Sequence, residues 1–153
     1  MLVYQLPNAK RALEKVSNYQ GLDFAYAVLK NKQLIDNKLM EVDFIRNVSP
    51  EVVEYEEKRI KLCEEFAQKD ENGKTMIEND LYVIIDRDTF KNKMDELLSM
   101  YRPFVEERQK QVELFNQKMN NVIDFEFVKI KKEDIPPQIA TARELEDISF
   151  MIE

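Results

Sequence analysis

Across 153 residues the chain carries no histidine and one cysteine, Cys63. Without imidazole, the commonest general base and the usual zinc, copper and haem ligand are missing, and neither a serine-histidine nor a cysteine-histidine triad can be assembled. Cys63 falls between Ile60 and Phe66 in an apolar stripe. Burial as a small hydrophobe accounts for it better than a reactive thiolate does.

The chemistry that remains belongs to carboxylates. Asp70, Glu71, Glu78, Asp80, Asp86 and Asp88 lie close together in sequence, and oxygen ligands of this kind can hold Mg²⁺ or Ca²⁺. Their spacing fits no EF-hand loop. Turns and helix starts recruit the same residues for local backbone hydrogen bonding, which explains each acid without a metal. Glu106, Glu107 and Glu113 could imitate a glycosidase pair, but they share a helical stretch with Arg108 and Lys110, as an ordinary solvated face does. No catalytic residue, metal ligand or cofactor is assigned.

Binding surfaces are the next question. Lys129, Lys131 and Lys132 beside Phe125 and Phe127 have the makings of a stacking platform for single-stranded nucleic acid. Glu126, Glu133 and Asp134 interrupt that run, and a net charge of -7 repels phosphates at long range. Nucleic acid is therefore not the expected partner. Tyr82, Tyr101 and Phe104 form the candidate partner surface, weighed against the ordinary role of aromatics as core.

Those residues must be positioned by helices. Only two glycines occur, Gly21 and Gly73, which rules out glycine-rich phosphate loops and disfavours sandwiches and barrels that need many tight turns. Apolar periodicity predicts a first helix over 9–19, after Asn8 and stopped by a left-handed Gly21, and a second over 22–46. Ser49 and Pro50 open a third over 50–68. A hairpin follows over 74–86, turning at Glu78-Asn79-Asp80. Asp86 or Asp88 caps a long helix reaching residue 120, with Pro103 bending or dividing it. The β-branched and aromatic stretch 122–130 predicts a strand that extends the hairpin to three strands. After Pro136-Pro137, Thr141 and Glu144 have capping-box spacing before a terminal helix. The expected fold is one domain over 1–153, α+β and predominantly α: antiparallel helices with a small inserted β-hairpin or three-stranded antiparallel sheet.

A lone cysteine, no signal-peptide pattern and no apolar run of about 18 residues point to the cytoplasm and away from a membrane. Several strings go further. Asn8-Ala9-Lys10-Arg11, Phe24-Ala25-Tyr26-Ala27 with Asn31-Lys32, Tyr55-Glu56 with Leu62-Cys63, and Lys69-Asp70-Glu71-Asn72-Gly73-Lys74 resemble a family of small, predominantly helical proteins of tailed bacteriophages and prophages. Lys129-Ile130-Lys131-Lys132-Glu133-Asp134-Ile135-Pro136 adds to the resemblance, which spans nearly the whole chain. It implies phage origin and expression in a bacterial host, and it transfers no enzymatic activity and no functional residue.

The expected function is a non-enzymatic protein-protein interaction module, acting on a host protein or in virion assembly. A homo-oligomer is also compatible with the sequence. The alternatives are a carboxylate- and metal-dependent enzyme, or an acidic mimic of nucleic acid. Mimicry is weakened because 23 basic residues accompany the 30 acids.

Overall fold

The computed structural model describes residues 1–153. Five α-helices and one two-stranded antiparallel hairpin make an α+β fold in which helix dominates, the expected class. The chain's contacts divide into two compact units, one of residues 1–45 with 114–153 and the other of residues 46–113.

In the first unit, α1 (Leu6–Val16) and α2 (Leu22–Met40) supply most of the core. Leu6, Ala9, Leu13 and Val16 of α1 are buried, a spacing that returns to one helix face every turn. Helix α1 begins at Leu6 rather than at 9 because Pro7, whose missing N–H would be unsatisfied there anyway, fits the first turn. It ends at Val16, and Gly21 is not its stop. With φ +130°, Gly21 instead leads directly into α2, a backbone conformation that L side chains rarely adopt. Helix α2 buries Phe24, Ala27, Val28, Asn31 and Ile35 and stops at Met40, short of the expected 46. Residues Asp43–Arg46 form a separate 3-10 turn.

Asn31 is the one buried polar residue, fully enclosed. Its side-chain amide donates to the Val128 carbonyl at 2.9 Å and its Oδ1 accepts from the Val128 amide at 2.8 Å. This two-way exchange is the pattern of one rung of a β-ladder, supplied by a side chain.

It also shows why 122–130 is not the expected strand. The segment alternates in burial as an extended chain does, but its pairing is confined to single bridges, Leu2 with Val122 and Ile130 with Ile152. The N–H and C=O of Val128 are taken up by Asn31, and the segment belongs to a different unit from the hairpin, whose sheet stays two-stranded. Phe125 and Phe127 turn inward against the core, with ring centroids 5.1 Å apart, and Phe127 packs on Phe150 at 4.6 Å.

The terminal helix, α5 (Ala142–Asp147), starts as expected. Thr141 Oγ1 accepts from the Glu144 amide, and the Glu144 carboxylate accepts in return from the Thr141 amide at 3.0 Å. Ile148 and Met151 beyond it are completely buried.

In the second unit, α3 (Pro50–Phe66) packs on α4 (Arg87–Met119) through Tyr55, Leu97 and Tyr101, with Leu62, Leu98 and Val105 around them. Ser49 caps α3 through its hydroxyl, which accepts from the Val52 amide, and Pro50 takes the first helical position. Helix α4 is not divided at Pro103 but runs on to Met119. Proline removes one rung of the ladder, and helical turns on both sides carry the geometry across. The unit boundary falls inside this helix, between Glu113 and Leu114. No helix is long and apolar enough to cross a membrane.

Replacing Asn31 by Ala or Leu leaves the part-buried Val128 amide and carbonyl without their side-chain partner, which is expected to cost about 1–3 kcal/mol. Urea unfolding followed by far-UV circular dichroism measures it, and a loss below about 0.5 kcal/mol contradicts the assigned role. Hydrogen bonds from Thr141, hydroxyl first and then amide, hold the Glu144 carboxyl below the usual glutamate range. A depressed carboxyl stabilises the fold above its unfolded pKa, and that contribution is lost as pH falls through the folded value. The difference in Tm between the native chain and Glu144→Ala is therefore expected to be full at about pH 6 and to shrink toward about pH 2.

Candidate functional site

The hairpin of the second unit is short. Strand β1 (Ile77–Glu78) pairs with β2 (Leu81–Tyr82), Ile77 opposite Tyr82 and Glu78 opposite Leu81. Asn79 and Asp80 make the two-residue turn, both with positive φ, at 49° and 63°. Such a turn matches the right-handed twist of the strands it joins, and Asn and Asp tolerate the left-handed region better than other side-chain-bearing residues.

Main-chain hydrogen bonds fasten the hairpin to the end of α3. The Gln68 amide donates to Val83 O at 2.7 Å, the Met76 amide to Gln68 O at 2.8 Å, and the Ile85 amide to Phe66 O at 3.2 Å. Phe66 of α3 and Phe90 of α4 stack beneath it with centroids 5.9 Å apart. The helix that follows is started by Asp86, whose Oδ1 accepts from the Thr89 amide at 3.1 Å. Bonds from Thr89 hold the Asp86 carboxyl below the usual aspartate range.

On this anchored frame, large aliphatic side chains point into solvent. Ile77 is 57% exposed, and Leu81 and Ile85 are each 71% exposed. Ile77 shares a face with the half-buried Tyr82, and Leu81 shares the other with Glu78, so each face of the hairpin carries one exposed aliphatic side chain. Beside it is a groove of about 540 Å³ whose walls include Leu81, Tyr82, Ile84, Arg87 and Phe90.

The three aromatics expected to share a surface are not together. Tyr82 is half-buried in that groove. Tyr101 lies eleven residues beyond Phe90 on α4, about 17 Å along the axis. It is buried, 8% exposed, with its ring against Tyr55 at 5.9 Å and its hydroxyl accepting from Lys58 Nζ at 2.7 Å. Lys58 also pairs with Glu54 at 2.7 Å, and the two bonds raise the lysine's pKa, Glu54 contributing more than Tyr101. Tyr101 is therefore a core residue and not a docking group. Phe104, 40% exposed, borders a separate small cleft with Ser49 and Val52. Ile77, Leu81 and Ile85 read in the sequence as strand residues of the hairpin, and nothing in their spacing tells a covered strand face from an exposed one.

The acids do not converge. Asp70 Oδ1 accepts from the amides of Asn72 and Lys74, both at 2.8 Å, Asp80 forms the turn, and Asp86 caps α4. No three His, Cys, Asp or Glu side chains gather into a set that could hold a metal ion. Cys63 is a buried thiol. The stretch around Lys129 is likewise committed to structure, since Lys129 Nζ donates to Phe150 O at 2.7 Å and the neighbouring phenylalanines face the core.

Asp80→Gly relieves a left-handed residue at the turn and is expected to stabilise the second unit by about 0.5–1 kcal/mol, whereas Asp80→Val is expected to destabilise it by at least as much. Thermal unfolding of the two variants orders them on either side of the native chain if the turn has this geometry. Comparison of the chain with protein-family models, with curated proteins and with solved structures finds no match in any of the three.

Proposed function

We propose that this protein is a non-enzymatic protein-protein interaction module, encoded by a tailed phage or prophage, which acts on a bacterial host protein or in virion assembly. The observation that carries the reading is the hairpin: three large aliphatic side chains held out to solvent on a frame tied down by main-chain hydrogen bonds. Burying such side chains in a partner's apolar groove gains about 25 cal/mol per Å² removed from water, and a pre-anchored hairpin has little ordering entropy left to lose. Arg87 and Tyr82 beside them are residue types that anchor protein interfaces. The phage assignment is supported by the sequence resemblance. The enzyme alternative finds no converging carboxylates to use, and the acidic groups of a nucleic-acid mimic are offset by the lysines they pair with, such as Lys38 with Glu41 and Asp124.

Leu81→Lys with Ile85→Lys changes only exposed side chains, so the circular dichroism spectrum and Tm should stay close to native. Affinity capture from infected and uninfected bacteria, each compared with this double variant, is expected to retain a protein that the variant loses and that binds the native chain after purification. Equal capture by both forms contradicts the proposal. A partner found only in infected cells points to assembly, and one found in both points to a host target.

A further inference from the structure

The first unit carries a concavity that the hairpin does not explain. A cleft of about 830 Å³ opens between the 3-10 turn Lys132–Asp134, the Pro136-Pro137 step and α5. Its apolar wall consists of Ile135, Pro136, Pro137, Ile139, Leu145 and Ile152. Ile139 belongs to the buried core of this unit, and Ile135 and Ile152 pack against that core. Local main-chain bonds fix the walls: the Ile139 amide donates to Pro136 O at 2.9 Å and the Glu153 amide to Ile130 O at 2.9 Å. The walls are thus held in place by the main chain, and the concavity is broad and open to solvent rather than enclosed, a shape that suits a chain segment laid across it.

The charges at this cleft are distinctive. Lys132, Glu146 and Glu153 border it, and none of the three is engaged in an ion pair, whereas the adjacent Asp147 is answered by Lys15 at 3.2 Å. The Ser149 hydroxyl is spent on Glu146 O at 2.8 Å, which leaves the Glu146 carboxylate without that donor. At the rim itself two unpaired carboxylates stand against the single lysine. An aliphatic floor with an excess of unanswered carboxylates at its edge complements an aliphatic group with a cation beside it.

We infer that this cleft receives a short segment of a partner protein in which aliphatic side chains fill the apolar wall and a flanking lysine or arginine meets Glu146 and Glu153. The inference rests on the interaction reading but uses the other unit, so the two can fail separately. The probes are two capped pentapeptides, Lys-Leu-Ile-Leu-Lys and Glu-Leu-Ile-Leu-Glu, titrated into the full isotope-labelled chain and followed by amide chemical shifts.

The basic peptide is expected to move amides of 132–139 and 145–153 saturably, and to bind about tenfold more weakly to Glu146→Gln combined with Glu153→Gln. Rising salt should weaken it further. Leu145→Lys, an exposed change in the apolar wall, should abolish the shifts while circular dichroism stays native. The inference is overturned if the acidic peptide binds equally well, if the shifts lie outside the cleft, or if the basic peptide produces none at millimolar concentration. The Leu81→Lys and Ile85→Lys double variant should bind the basic peptide as the native chain does, so a negative titration leaves the hairpin reading standing.

Discussion

One buried amide organises the first unit. Asn31 replaces a strand: its two polar atoms satisfy both polar groups of the Val128 peptide inside a core of Leu, Ile, Val and Phe side chains. An unpaired peptide in that position is costly, so the segment that carries Val128 is restricted to the one register that meets Asn31. Fixing that register sends Phe125 and Phe127 inward, seats Phe127 on Phe150 and brings Ile130 to its bridge with Ile152. The walls of the cleft near Pro136 follow in chain order from the same anchor.

The helices were legible in the sequence because burial on one face leaves a periodic trace, and their starts were legible where a side chain does the capping. Ser49 and the Thr141–Glu144 pair act as their spacing indicates. The hairpin was placed correctly from its turn residues, and Cys63 is buried as its apolar neighbours suggested. Stretch 122–130 misled because alternation and β-branched composition report an extended chain packed on a core, and they are silent on whether a neighbouring strand exists. Asn31, which settles that point, looks in sequence like any polar residue on an amphipathic helix.

The candidate surface was less legible, for a related reason. Aromatic character does not distinguish a core ring from a docking ring. Tyr101 is held inside by Tyr55 and by a hydrogen bond from Lys58, and such a placement depends on contacts between α3 and α4 that no local pattern encodes. The exposed Leu81 and Ile85 resemble strand-core residues in sequence. They are solvent-facing because no other element packs over them.

A two-stranded hairpin with uncovered aliphatic side chains also bears on how the chain behaves at high concentration. Strand edges flanked by such residues are templates for edge-to-edge pairing with another copy. Here Glu78 sits directly across from Leu81, and Asp80 occupies the turn between them. Both carry like charge into any stacked copy of the hairpin, and at the distances of cross-strand neighbours that repulsion opposes the stack. These two acids therefore serve as gatekeepers. Any pairing of the apolar hairpin with a second copy has to bring these like charges together.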